Sequence, residues 1–131
     1  MTTKDQHQEH RIFRRAIFNL EDNIIGIISI PGVHEKALST NILNLSEGGI
    51  QFTIAKGNAK QIRSGDRLVL LQIKAPATLK FLMNIDAEIK WILTDDIFDH
   101  AGAGCQFINI SPTSREQIAG FVEAWTESRE K

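Results

Sequence analysis

From Phe81 to Trp91 the chain alternates between two faces without a break. Phe81, Met83, Ile85, Ala87, Ile89 and Trp91 fall on one side, and Leu82, Asn84, Asp86, Glu88 and Lys90 on the other. A period of two is that of a strand with one face on a core and one toward water, as in an antiparallel sheet. On this reading Trp91 belongs with the core residues, and only a bulge or a barrel rim would turn its ring outward. This longest strand is expected at Leu79–Ile92. Shorter Ile-, Val- and Phe-rich runs predict strands at Ala16–Leu20, Ile24–Ile30, Ala37–Leu43, Ile50–Ile54, Arg67–Ile73 and Gly104–Ile110. Glu21-Asp22-Asn23, Pro31-Gly32, Glu47-Gly48-Gly49, Ser64-Gly65-Asp66 and Asp95-Asp96 supply the turns between them.

The period changes near the C-terminus. Ile118, Phe121, Val122 and Trp125 recur at helical spacing, and Ser111-Pro112 offers a cap followed by a proline suited to a first turn. Thr113 is spaced to Glu116 as a capping box. A helix over about residues 112–128 therefore follows a barrel-like region over about 16–110, and many short strands with one lid helix suggest a small barrel. The first ten residues, Met1 to His10, lack apolar periodicity and read as a flexible arm. In the run Leu68-Val69-Leu70-Leu71 both faces are apolar, so one side is expected under the helix or against a second subunit. Monomer and homodimer both stay open.

Composition narrows the class. The chain has 131 residues, 42% hydrophobic and 24% charged, which suits one globular domain. Fifteen Lys+Arg against 16 Asp+Glu give a formal net charge of -1, so there is no overall basic field to hold long nucleic acid. One cysteine, Cys105, rules out an internal disulfide and any cysteine-clustered zinc site, and it reads as a small packed residue. No apolar run is long enough to span a bilayer, and the polar start is unlike a secretory signal, so a cytoplasmic location is expected.

Two clusters carry candidate chemistry. Arg11-Ile12-Phe13-Arg14-Arg15 joins the arm to the first strand and holds the densest positive charge in the chain. Asn44-Leu45-Ser46-Glu47-Gly48-Gly49 is a polar turn ending in glycine between two apolar strands. By residue type alone the first suits a solvated basic edge and the second an ordinary hairpin turn; the turn reading is compatible with ligand binding.

Taken together and in this order, they resemble the PilZ domain family, whose signature is RxxxR followed by D/N-x-S-x-x-G. Ile50-Gln51-Phe52 follows the glycine, Gly104-Cys105-Gln106-Phe107 looks like the family's late strand, and Ser111–Trp125 resembles its terminal helix. The resemblance covers Arg11 to Trp125 and places the domain at 11–131. It implies a six-stranded antiparallel β-barrel capped by one α-helix, with cyclic di-GMP as ligand. Cyclic di-GMP carries two phosphates and two guanines. Arginine provides planar forks for phosphate and for guanine O6 and N7, and it can stack on a purine, none of which lysine does as well.

The resemblance assigns Arg11, Arg15, Asn44, Ser46 and Gly49 to the ligand. Arg14, Gly48 and Trp91 are secondary candidates, the last by stacking on a guanine. Asn44 would meet the guanine Watson–Crick edge through its amide oxygen, more weakly than the aspartate that the family also uses there. Ser46 would bond a phosphate or hold the turn, and Gly49 would let the ligand approach without a Cβ in the way. Ligand would order the arm against the barrel, and an unidentified downstream protein would read the change. The alternative is a PilZ-fold interaction module, in pilus assembly or its regulation, that binds no nucleotide. Asp95–His100 reads as a solvated loop and His7 and His10 as bystanders, so no metal, cofactor or catalytic residue is expected. Absence of a G-x-S-x-G motif agrees with a protein that is not an enzyme.

Overall fold

The computed structural model describes residues 14–32, 36–75, 80–94 and 99–129, the side chains of residues 80–83 and of Arg129 excepted. Its strands are β1 (Ala16–Ile17), β2 (Ile25–Ser29), β3 (Leu38–Ser46), β4 (Gly49–Ala55), β5 (Arg67–Lys74), β6 (Lys80–Leu93) and β7 (His100–Ile108). A one-turn helix, α1 (Lys56–Ala59), follows β4, and α2 (Pro112–Arg129) ends the described chain. Pairing runs β3-β2-β5-β6-β7-β4 and returns to β3, all antiparallel, so six strands close into a barrel. Two-residue β1 adds to β3 beyond the stretch that β2 occupies, with Ala16 opposite Leu45 and Ile17 opposite Asn44. Closure leaves the six barrel strands no free edge.

Alternation fills the barrel. Ile28, Ile42, Leu45, Phe52, Ile54, Leu68, Leu70, Ile73, Ile85 and Ile89 are all buried at 2% exposure or less. Thr40, the polar residue among them at midstrand, is buried because its hydroxyl donates to the Gly26 carbonyl at 2.8 Å. On β5 the inward residues are Leu68, Leu70 and Ile73, while Val69 and Leu71 are half-buried at a register shift between Leu70 and Gln72. The contacts of α2 fall chiefly on β1, β3 and β6, so the helix does not account for the second apolar face of β5.

Strands β3 and β6 stand three places apart around the ring, so a helix touching both lies across one end of the barrel. Ile118, Phe121 and Val122 point inward from it. Phe18, just after β1, sits between two helix aromatics, 4.9 Å edge-on from Trp125 and 6.0 Å from Phe121 between ring centroids. Pro112 opens the helix, as its fixed φ favours. The expected capping box is replaced by a simpler cap: Ser111 Oγ accepts from the Ser114 N–H at 3.1 Å, which places the cap two residues before Thr113.

Trp91 departs from the alternation. Register on β7 runs Ile89 opposite Cys105 and then Trp91 opposite Gly104, so one extra residue, Lys90, is accommodated in β6. That bulge shifts the phase: Ile85, Ala87 and Ile89 are buried, but Trp91 is 39% exposed and Leu93 is 70% exposed. The core placement of Trp91 is corrected for this reason. Ser64 Oγ donates to the Lys90 carbonyl at 2.9 Å, and the Gly65 N–H donates to the Ile89 carbonyl at 2.6 Å, so the loop before β5 braces the bulge.

Candidate functional site

The hairpin joining β3 to β4 is tighter than expected. Asn44 and Ser46 lie within β3 and Gly49 begins β4, leaving Glu47 and Gly48 as the two-residue loop. Ser46 is 1% exposed, and its Oγ accepts from the Gly48 N–H at 3.1 Å, so the hydroxyl holds the turn. The Gly48 carbonyl accepts from the Phe107 N–H at 3.0 Å, tying the loop to β7. Gly49 has a reason of its own: a Cβ there would run into the carbonyl oxygen of Cys105. The close approach of β7 is by itself enough to demand this glycine.

Arg15 comes to the same hairpin from β1. Pairing of Ile17 with Asn44 carries the preceding chain past β3, and Arg15 Nη1 donates to Asn44 Oδ1 at 2.9 Å. Asn44 in turn donates from Nδ2 to Gln51 Oε1 at 2.7 Å across the hairpin. Arg14 lies on the other side of the turn, in a hollow of about 150 Å³ shared with Glu47 and Glu123. Arg115 of α2 reaches Glu47 at 3.6 Å, so the same loop touches the lid helix. Arg11 lies outside the described residues, as do His7, His10 and Asp95 to Phe98.

A cleft of about 380 Å³ opens on the outer wall where β3, β4, β7 and β6 run side by side. Arg15, Ser46, Gly48 and Gly49 form one flank, and Lys90 and Trp91 on β6 form the other. Gly104 provides the floor. A Cβ at Gly104 would overlap the Trp91 ring, and one at Gly102 would touch its far edge at 3.6 Å, so the indole lies flat along the glycines of β7. Arginine and lysine give the cleft positive charge, and Lys90 has Glu88 3.4 Å away. Cys105 contributes to the wall but is buried, and burial pushes its thiol from 9.0 up to about 12.

The structure thus brings Arg15, Asn44, Ser46, Gly48, Gly49 and Trp91 to one face of the barrel. Gln51, Lys90 and Gln106 also line the cleft and were not singled out from the sequence. A signal for Gln51 existed: a two-residue loop after Ser46 pairs 46 with 49, 45 with 50, and 44 with 51. Lys90 stood on the outward face of the alternation, but nothing local showed that this face borders the hairpin cleft. Among the described residues no group of three or more His, Cys, Asp or Glu side chains could hold a metal ion. Nor is any described helix long and apolar enough to cross a membrane.

The family model for the PilZ domain matches residues 8–124. The chain belongs to the PilZ domain family. No curated protein sequence matches it. Among solved structures, the inhibitor of motility MotI/DgrA of Bacillus subtilis superposes with a TM-score of 0.71 at 19% identity, covering 92% of this chain and 53% of that one. The PilZ domain of YcgR from Escherichia coli, solved with c-di-GMP, gives 0.64 at 20% identity and covers 92% and 95%. The K. pneumonia MrkH–c-di-GMP complex gives 0.69 at 16% identity and covers 92% and 53%. This chain therefore spans about half the length of MotI/DgrA and of MrkH, and nearly all of the YcgR PilZ domain. At these identities the likeness is one of fold: a six-stranded barrel with a C-terminal helix.

Proposed function

We propose that this PilZ domain is a receptor for cyclic di-GMP. One observation carries the reading: an arginine cation, a polar hairpin and a half-exposed indole converge on one cleft. Phosphate suits the guanidinium of Arg15, a purine face suits the flat ring of Trp91, and guanine donors suit the amide oxygen of Asn44. Arg11, by its place in the RxxxR motif, would add a second fork. The c-di-GMP in the YcgR and MrkH structures supports the same ligand class.

Ligand held by Arg15 would change the surface near β1, and Phe18 links that segment to α2. A downstream protein then reads the altered surface, with the domain acting in the cytoplasm as a monomer or homodimer and catalysing nothing itself. Calorimetric titration with cyclic di-GMP, using GTP as control, tests the proposal. Selective binding at low-micromolar or tighter concentration supports it, and the stoichiometry tells one bound ligand from a stacked pair. No binding by a folded sample overturns it in favour of an interaction module on the same fold.

A further inference from the structure

Two consecutive residues of β6 face the same way. Lys90 keeps the outward phase of the alternation, and the bulge adds Trp91 to the same side, opposite Gly104. Ammonium and indole therefore stand side by side on one flank of the cleft, across from Arg15. Among the described residues that line it, the charged ones are Arg15 and Lys90, both cations. The Lys90 ammonium lies 3.4 Å from a Glu88 oxygen with 47% of the lysine side chain exposed, so this pair is weak and readily exchanged. Glu88 itself does not line the cleft and stands directly opposite Arg67 on β5. The bulge is braced through the carbonyls of Ile89 and Lys90, and these backbone acceptors stay whatever side chain follows at 90.

We propose that Lys90 binds a phosphate of the cyclic dinucleotide, and that Glu88 holds the ammonium until that phosphate replaces it. The inference rests on the receptor reading above and deepens it. Each guanine of the ligand is joined through its ribose to a phosphate. A base stacked on Trp91 thus brings a phosphate beside the residue next to Trp91, and the bulge makes that residue a cation. Arg15 meets the ligand from the other flank, so its two phosphates find a cation on each side. Phosphate and carboxylate are both anionic acceptors, and the ammonium exchanges one for the other without losing a charged partner. Glu88, once released, keeps Arg67 across the strand pair.

The test is calorimetric titration of the whole chain and its variants with cyclic di-GMP at two salt concentrations. Between about 0.01 M and about 1 M salt the screening length falls from about 30 Å to about 3 Å. Lys90→Ala binds about tenfold more weakly than the parent at the lower salt, as for loss of one charged hydrogen bond at a half-exposed site. At the higher salt that gap narrows. Lys90→Arg keeps a cation and recovers most of the affinity. Glu88→Gln frees the ammonium and binds up to about fivefold tighter at low salt, the worth of an exposed ion pair. The salt arm separates charge from shape, because a Trp91 ring displaced by the substitution weakens binding equally at both concentrations. Lys90→Ala binding like the parent, or a gap that salt leaves unchanged, overturns the role of Lys90 and leaves the receptor reading intact. Glu88→Gln binding no tighter than the parent overturns the hold by Glu88. A parent that binds no cyclic di-GMP overturns the receptor reading, and the role of Lys90 falls with it.

Discussion

The indole of Trp91 occupies the space that a side chain at Gly104 would need. A ring laid across a glycine on the neighbouring strand covers bare backbone and presents its other face outward, which makes a flat platform at the cleft. Gly104→Ala is therefore expected to lift the ring from the sheet. The folding cost should be about 1–3 kcal/mol, as for other overpacked sites. Tryptophan emission should shift, and affinity for cyclic di-GMP should fall. A crystal structure of the variant with the ring unmoved would contradict the expectation.

Arg15 and Ser46 should separate binding from folding. Arg15 is exposed, so Arg15→Ala should leave the melting temperature nearly unchanged. Its loss should weaken cyclic di-GMP binding by about 2–5 kcal/mol, as for a charge paired with a buried anion. Ser46 is buried and bonded to the turn, so Ser46→Ala should cost roughly 1 kcal/mol of stability. Thermal melts beside titrations read both. An Arg15→Ala protein that binds like the parent would contradict the place of Arg15 in the site.

Phe18 fastens the segment after the arginines to the lid helix. It is 4% exposed and touches both Phe121 and Trp125. Phe18→Ala should destabilise the domain by about 3–5 kcal/mol, the usual cost of emptying an aromatic site. Urea unfolding of the two proteins gives the difference directly. A loss under 1 kcal/mol would mean that the helix holds its place without this contact.

Cys105 should make stability fall in alkali. Its folded pKa is about 12, raised from 9.0 by burial. Below 9 both states keep the proton and the group contributes no slope. Above 9 the unfolded chain releases the proton while the folded chain retains it, so stability declines by up to about 1.4 kcal/mol per pH unit until the folded pKa is reached. Urea unfolding from pH 8 to 11 should show this decline in the parent and a shallower one in Cys105→Ala. Parallel curves would remove the thiol from the account.

Most of the barrel was legible locally. Predicted strands overlap each of the seven observed ones, and the terminal helix begins at the proline that marked it. Alternation worked wherever the strand was regular, as from Ile85 to Ile89. It failed at Trp91, because a period-two pattern has no memory of an inserted residue: one bulge exchanges inside for outside along the rest of the strand. The capping box failed for a related reason. Ser111 and Thr113 both fit the cap chemistry, and the path of the chain leaving β7 selected Ser111.

What the sequence determined by itself was the set of strands, the lid helix and the two motifs. These follow from periodicity and turn chemistry acting over a few residues. The tertiary structure decided which surfaces meet. It brought β1 to β3 so that Arg15 reaches Asn44, pressed β7 against Gly49, and turned Trp91 onto Gly104 to complete a cleft that draws on strands far apart in the chain. Barrel closure and bulge position depend on the balance of packing around the whole ring, and no local stretch of sequence contains that balance.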